Sequence, residues 1–239
     1  MTPNPATSAH AAPIVYLFDI DGTLLDAAGA GRRAVNAAFT HTHGWRDATA
    51  GIGFGGRTDR WIIATTIAAR AHREATAVEI DAVLTCYLNL LAEELRQRPP
   101  TRFMGIPEML GWLRCQPNTY LGIATGNVRV GADIKLEACG LAEMFAFGGW
   151  GCDSADRAAL VERGIQRAAA LLMVAPSQLH CIVVGDTVHD ITAARANGAT
   201  ACAVTSGGYD AAQLSAADVV FTSLAELPRW HTRLVTAVP

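Results

Sequence analysis

Five short apolar runs, each closed abruptly by polar residues, punctuate the chain. Residues 14–18 (IVYLF) lie between Pro13 and Asp19-Ile20-Asp21-Gly22. A continuous apolar run of this length, cut off by turn-forming residues, predicts a strand buried on both faces. Residues 120–124 (YLGIA) end in the same way at Thr125-Gly126-Asn127, and residues 181–184 (CIVV) at Gly185-Asp186-Thr187. Residues 199–204, closed by Thr205-Ser206-Gly207-Gly208, and residues 218–221 complete the set. Helical spacing of apolar positions appears over residues 107–114, 128–139, 157–172, 188–197 and 224–234. Strands alternating with helices predict an α/β fold, a doubly wound parallel sheet covered on both faces. Such sheets bind ligands at the carboxyl ends of their strands, where the polar closures fall.

Residues 26–102 follow a different pattern. They contain no convincing strand and three helical stretches, over 30–43, 59–72 and 77–98. The turn Gly51-Ile52-Gly53-Phe54-Gly55-Gly56 separates the first two, and Pro99-Pro100 closes the segment. The expected organisation is an α/β core over 14–25 and 103–239, split by an all-helical insert over 26–102. A loose tail over 1–13, rich in Ala, Pro, Thr and Ser, precedes it. There is no internal repeat.

Composition narrows the classes. The 239 residues are 51% hydrophobic and 17% charged, enough to build a large core and too apolar for extended disorder. A net charge of −3 offers no basic field for nucleic acid. No apolar run approaches the ~20 residues of a membrane helix, and residues 1–13 lack the basic start and apolar stretch of a secretory signal. The six cysteines form no C-x-x-C pair, which predicts free thiols in a reducing cytoplasm.

The candidate chemistry sits at the strand ends. Asp19 and Asp21 are two apart, so their side chains project to the same side, and Gly22 permits a sharp exit. Close carboxylates repel unless a cation or a shared proton intervenes. Asp186 closes another strand and Asp190 follows one helical turn later. Hard oxygen ligands converging on one edge point to Mg²⁺. Asp190 also reads as an acid at a helix N-terminus.

These residues carry a resemblance. Asp19-Ile20-Asp21-Gly22-Thr23-Leu24-Leu25-Asp26 resembles the first motif of the haloacid dehalogenase-like hydrolases. Ile123-Ala124-Thr125-Gly126-Asn127 is similar to the second, and Gly185-Asp186-Thr187-Val188-His189-Asp190 to the fourth. The resemblance spans nearly the whole chain after Pro13, and the insert is similar to the helical cap of the phosphoglycolate phosphatase and β-phosphoglucomutase branch. It implies a Rossmann-like core and a Mg²⁺-dependent phosphatase acting on a small phosphorylated metabolite, as a monomer or homodimer. Asp19 would be the nucleophile and Asp21 the acid and base. The metal set would be Asp19, Asp21 through its backbone carbonyl, and Asp186, with Asp190 orienting ligands or metal-bound water. Thr125, Gly126 and Asn127 would hold phosphoryl oxygens. A phosphate dianion also needs a fixed cation to approach Asp19.

That cation departs from the family pattern, which places a lysine before the helix leading to the fourth motif. The chain has a single lysine, Lys135, far upstream of Asp186. Arg157 stands at the start of the corresponding helix, after the capping residues Asp153, Ser154 and Asp156, and is preferred; arginine binds carboxylate and phosphate well. In the insert, Arg57-Thr58-Asp59 follows the glycine turn. Thr58 or Asp59 caps the next helix, while Arg57 is placed to reach an anionic leaving group. Asp21 argues against the dehalogenases, and a lysine-free insert against the phosphonatases. A phosphosugar mutase and a non-catalytic binding protein of the same fold remain as alternatives.

Overall fold

In the computed structural model, which describes residues 12–236, every strand expected from an apolar run belongs to one sheet. The tail expected over 1–13 therefore lies, apart from Ala12 and Pro13, outside the described residues. The strands are β1 (Ile14–Phe18), β4 (Thr119–Thr125), β5 (Phe147–Trp150), β6 (His180–Gly185), β7 (Thr200–Val204) and β8 (Val219–Phe221). They pair in parallel in the order β5-β4-β1-β6-β7-β8. β1 is central, and its alternation divides the interior. Ile14, Tyr16 and Phe18 enter one apolar cluster, while Val15 and Leu17 enter the other. Both faces are covered, so every position of the run is buried.

Helices α6 (Arg157–Leu172) and α7 (Val188–Ala196) cover the Val15/Leu17 face through Leu160, Ile165 and Ile191. Helices α4 (Ile106–Arg114), α5 (Arg129–Ala138) and α8 (Leu227–Thr236) cover the other through Leu110, Leu136 and Leu227. There the buried Tyr16 hydroxyl is satisfied by His231 Nδ1 at 2.8 Å. No helix among the described residues is long and apolar enough to cross a membrane.

The insert is helical: α1 (Ala30–His43), α2 (Asp59–Ala71) and α3 (Ala77–Gln97). The chain leaves through β2 (Leu25–Asp26) and returns through β3 (Thr101–Arg102), which pair antiparallel. Two-residue strands are too short to show in a sequence pattern. Thr58 caps α2, accepting the Trp61 N–H at 3.2 Å, and Thr76 and Glu79 form a capping box at α3.

A longer strand also escaped the sequence pattern. β5 reads Phe-Gly-Gly-Trp, a turn-like composition, yet it forms the sheet edge beside β4. Its glycines are a packing requirement. A Cβ at Gly149 would lie 1.8 Å from the Leu160 carbonyl oxygen of α6, and one at Gly148 2.9 Å from that of Ile123. Gly149→Ala is therefore expected to lower stability by about 1–3 kcal/mol, as overpacking does. Urea denaturation measures this, and an unchanged midpoint would contradict so close an approach of α6 to the strand.

Candidate active site

Adjacent parallel strands bring their ends together. β4, β1 and β6 are neighbours, so Thr125, Asp19 and Asp186 meet at one carboxyl edge. The Asp19 N–H still donates to Val184 O at 2.8 Å, which ties the residue after β1 to β6. Asp19, Asp186 and Asp190 are all buried, each with a carboxylate oxygen within 4.8 Å of the others. Burial pushes the Asp19 and Asp186 carboxyls up, Asp190 adds repulsion to both, and Arg157 acts against the rise.

One guanidinium stands against these charges. Arg157 Nη2 lies 3.0 Å from Asp19 Oδ1 and 2.6 Å from Asp190 Oδ1, and its Nε donates to Asp190 at 2.8 Å. Three carboxylates around a single cation leave two negative charges uncompensated in a buried, oxygen-lined site. That donor set fits a divalent cation of the Mg²⁺ kind.

Asp190 is not disposed as a metal ligand in its own right. Its Oδ1 is taken by Arg157, while its Oδ2 accepts the Thr187 N–H at 3.0 Å and the Thr187 hydroxyl at 2.6 Å. It closes a capping box on α7 and anchors Arg157. Asp186 is wedged between glycines: a Cβ at Gly22 (φ +81°) would lie 2.5 Å from its Oδ2, and one at Gly207 1.7 Å. The Thr23 hydroxyl donates to its Oδ1 at 3.2 Å.

The Asp21 carboxylate points elsewhere, so the metal role expected of Asp21 rests on its backbone carbonyl. Its Oδ2 accepts from Lys135 Nζ at 2.6 Å and from Asn127 Nδ2 at 2.8 Å. Lys135 also donates to Asn127 Oδ1 at 2.7 Å. By sequence Lys135 and Arg157 are the two candidates for one fixed cation; the structure gives each its own carboxylate, Arg157 on Asp19 and Lys135 on Asp21. Thr125 Oγ1 accepts from the Asn127 N–H at 3.3 Å and from its Nδ2 at 2.8 Å. Among the described residues no acceptor takes the Thr125 hydroxyl proton.

Beside Asp21 a cavity of about 260 Å³ separates insert and core, lined by Gly31, Arg32, Phe54, Asp59, Tyr87 and Lys135 among others. Arg57, expected to reach a leaving group, does not line it. Its guanidinium lies 4.5 Å over the Trp61 ring, bordering a separate cavity with Arg157 and His189. The guanidinium that does line it is Arg32, which the sequence reading passed over. Arg32 donates to Ile52 O at 2.9 Å and Thr49 O at 3.2 Å and lies 4.0 Å over the Phe54 ring. Among the described residues it pairs with no carboxylate. Its only sequence signal was the small-residue run Ala27-Ala28-Gly29-Ala30-Gly31 before it.

The profile of a family described as haloacid dehalogenase-like hydrolase matches residues 16–204. Comparison with curated proteins returns no match. Among solved structures the chain is similar to CbbY from Rhodobacter sphaeroides in complex with phosphate. The TM-score is 0.70 at 18% identity, over 89% of this chain and 95% of that one. A predicted phosphoglycolate phosphatase from Haemophilus somnus 129pt aligns with a TM-score of 0.68 at 18% identity, over 93% and 99%. A putative β-phosphoglucomutase from Bacteroides vulgatus gives 0.68 at 19%, over 96% and 92%. Identities this low speak to the fold.

Asp19 and Asp186 set a pH signature. Their raised folded-state values contribute stability below the ordinary carboxylate range, and that contribution is lost as pH rises through the raised values. A divalent cation bound there would take the place of the protons. It is expected to raise the Tm by about 5 °C near pH 8 and clearly less near pH 5. Asp186→Asn should diminish the shift. Thermal denaturation with and without Mg²⁺ decides; equal shifts at both pH values would refute a metal among these carboxylates.

Proposed function

The chain belongs to the haloacid dehalogenase-like hydrolases, and on that premise we propose a Mg²⁺-dependent phosphatase that cleaves a small phosphomonoester through an aspartyl-phosphate on Asp19. The observation that carries this reading is the buried group of Asp19, Asp186 and Asp190 around the Arg157 guanidinium, with Asp21 turned toward the adjoining cavity.

Asp19 attacks phosphorus, forming an Oδ–P bond as the ester O–P bond breaks, and Asp21 delivers a proton to the departing oxygen. Asp21 then takes a proton from water as it attacks phosphorus. The Oδ–P bond breaks, releasing phosphate and restoring the Asp19 carboxylate. Asp19, Asp186 and the Asp21 carbonyl would hold Mg²⁺, which offsets charge on the phosphoryl oxygens. Arg157 screens Asp19 from an incoming dianion while Asp190 holds its guanidinium in place. The free proton of the Thr125 hydroxyl donates to a phosphoryl oxygen, beside the Gly126–Asn127 turn.

The cavity beside Asp21 is the place for the leaving group, and its volume suits a few heavy atoms. Arg32, unpaired with any carboxylate among the described residues, suits a second anionic group such as the carboxylate of phosphoglycolate. The fully free set of cysteines supports a cytoplasmic setting.

Phosphate release from a panel including phosphoglycolate and hexose phosphates, with and without Mg²⁺, tests the reading. Turnover should require Mg²⁺ and fall by about 10⁴-fold or more in Asp19→Asn. Turnover that survives this substitution would reject the aspartyl-phosphate route. Arg32→Ala is expected to raise KM for phosphoglycolate about tenfold or more, the scale of one charge-assisted contact, with little change for substrates lacking a second anion. A uniform change across the panel would remove Arg32 from substrate recognition.

A further inference from the structure

The helical insert buries one charged residue among those described, Asp59. It is the first residue of α2, and it grips the core at two points. Its backbone N–H donates to Gly126 O at 2.9 Å, and its Oδ2 accepts the Val128 N–H at 2.8 Å. The two bonds straddle Asn127, the residue whose amide binds both Asp21 and Lys135. The insert backbone rests directly on this loop, because a Cβ at Gly126 would lie 2.1 Å from Arg57 O. Burial pushes the Asp59 carboxyl up to about 6, and the Lys135 ammonium is the largest influence acting against it. Asp59 and Lys135 line the same cavity as Asp21. Lys135 is thus shared between a core carboxylate that it touches and an insert carboxylate that it faces.

We propose that Asp59 is a positioning residue which, acting through Lys135 and the 126–128 loop, sets the Asp21 carboxylate for proton transfer only while the insert is seated on the core. The proposal rests on the reading of Asp21 as acid and base. With the insert seated, Asp59 holds the Val128 N–H and presents a second negative charge to Lys135, so Lys135, Asn127 and Asp21 keep one arrangement. With the insert lifted, Lys135 loses that charge and the loop loses both anchors. Proton donation to the leaving group would then be confined to the closed, substrate-enclosing state.

The test exploits leaving groups. An alkyl phosphate needs a proton from Asp21 as its alkoxide departs, whereas acetyl phosphate releases acetate without one. Asp59→Asn keeps the size and the acceptor oxygen but removes the charge. Rapid-quench measurement of Asp19 phosphorylation should show a slowing of roughly tenfold to a hundredfold with the best alkyl phosphate of the panel, and less than about twofold with acetyl phosphate. In a Lys135→Met background the same substitution should add less than about twofold, since the partner it acts through is gone. Equal slowing with both donors would show a merely structural role and overturn the proposal. So would no slowing with either donor, or full additivity with Lys135→Met. If Asp19 of the wild-type protein is phosphorylated by neither donor, the catalytic reading itself fails, and this inference with it.

Discussion

Uncompensated negative charge at the carboxyl edge of the sheet is the constraint around which the rest of the site is arranged. Asp19, Asp186 and Asp190 are buried within reach of one another, and among the described residues Arg157 alone pairs with them. Carboxylates desolvated together are unstable unless every remaining interaction is well placed. The surroundings meet that demand. Asp190 is held at both oxygens, by Arg157 and by its capping partner Thr187. A Cβ at Gly185 would collide with the Asp190 carboxyl, and the glycines at 22 and 207 make the equivalent room for Asp186. The deficit that remains is the size a divalent cation fills.

A second constraint comes from the insert. It lies over the active edge and touches the core where the phosphate-binding turn is expected, through the backbone of Arg57 and Asp59 at Gly126 and the side chain of Asp59 at Val128. The turn bearing Thr125 and Asn127 is therefore shaped from both sides. Lys135 lies beneath it, bound to Asp21 and Asn127. Two cations thus serve two carboxylates separately, Arg157 beside Asp19 and Lys135 beside Asp21. The cavity between insert and core, with Arg32 in its wall, opens beside Asp21 and Lys135.

Much of this was legible along the chain. The apolar run before Asp19 marked the central strand because both its faces are covered, and polar closures marked the site because parallel strands end together. Thr58 and Asp156 announced helix starts because their oxygens satisfy unpaired N–H groups locally. Other features left no local trace. β5 is built on glycines whose reason is the nearness of α6 and of β4. Arg57 looked like the insert's arm toward substrate from its place after a glycine turn, yet its guanidinium stacks on Trp61, while Arg32 from α1 lines the cavity.

By itself the sequence determined what depends on near neighbours: element type from periodicity, helix starts from capping residues, and the acid pairs that one strand end or one helical turn brings together. The tertiary structure alone decided which distant side chains share a charge. That Lys135 reaches Asp21 and Asp59 faces Lys135 follows from α5 lying against the inserted helices and from the insert resting on the turn after β4. A side chain's partner across the fold is set by packing geometry, and composition and spacing do not encode that geometry locally.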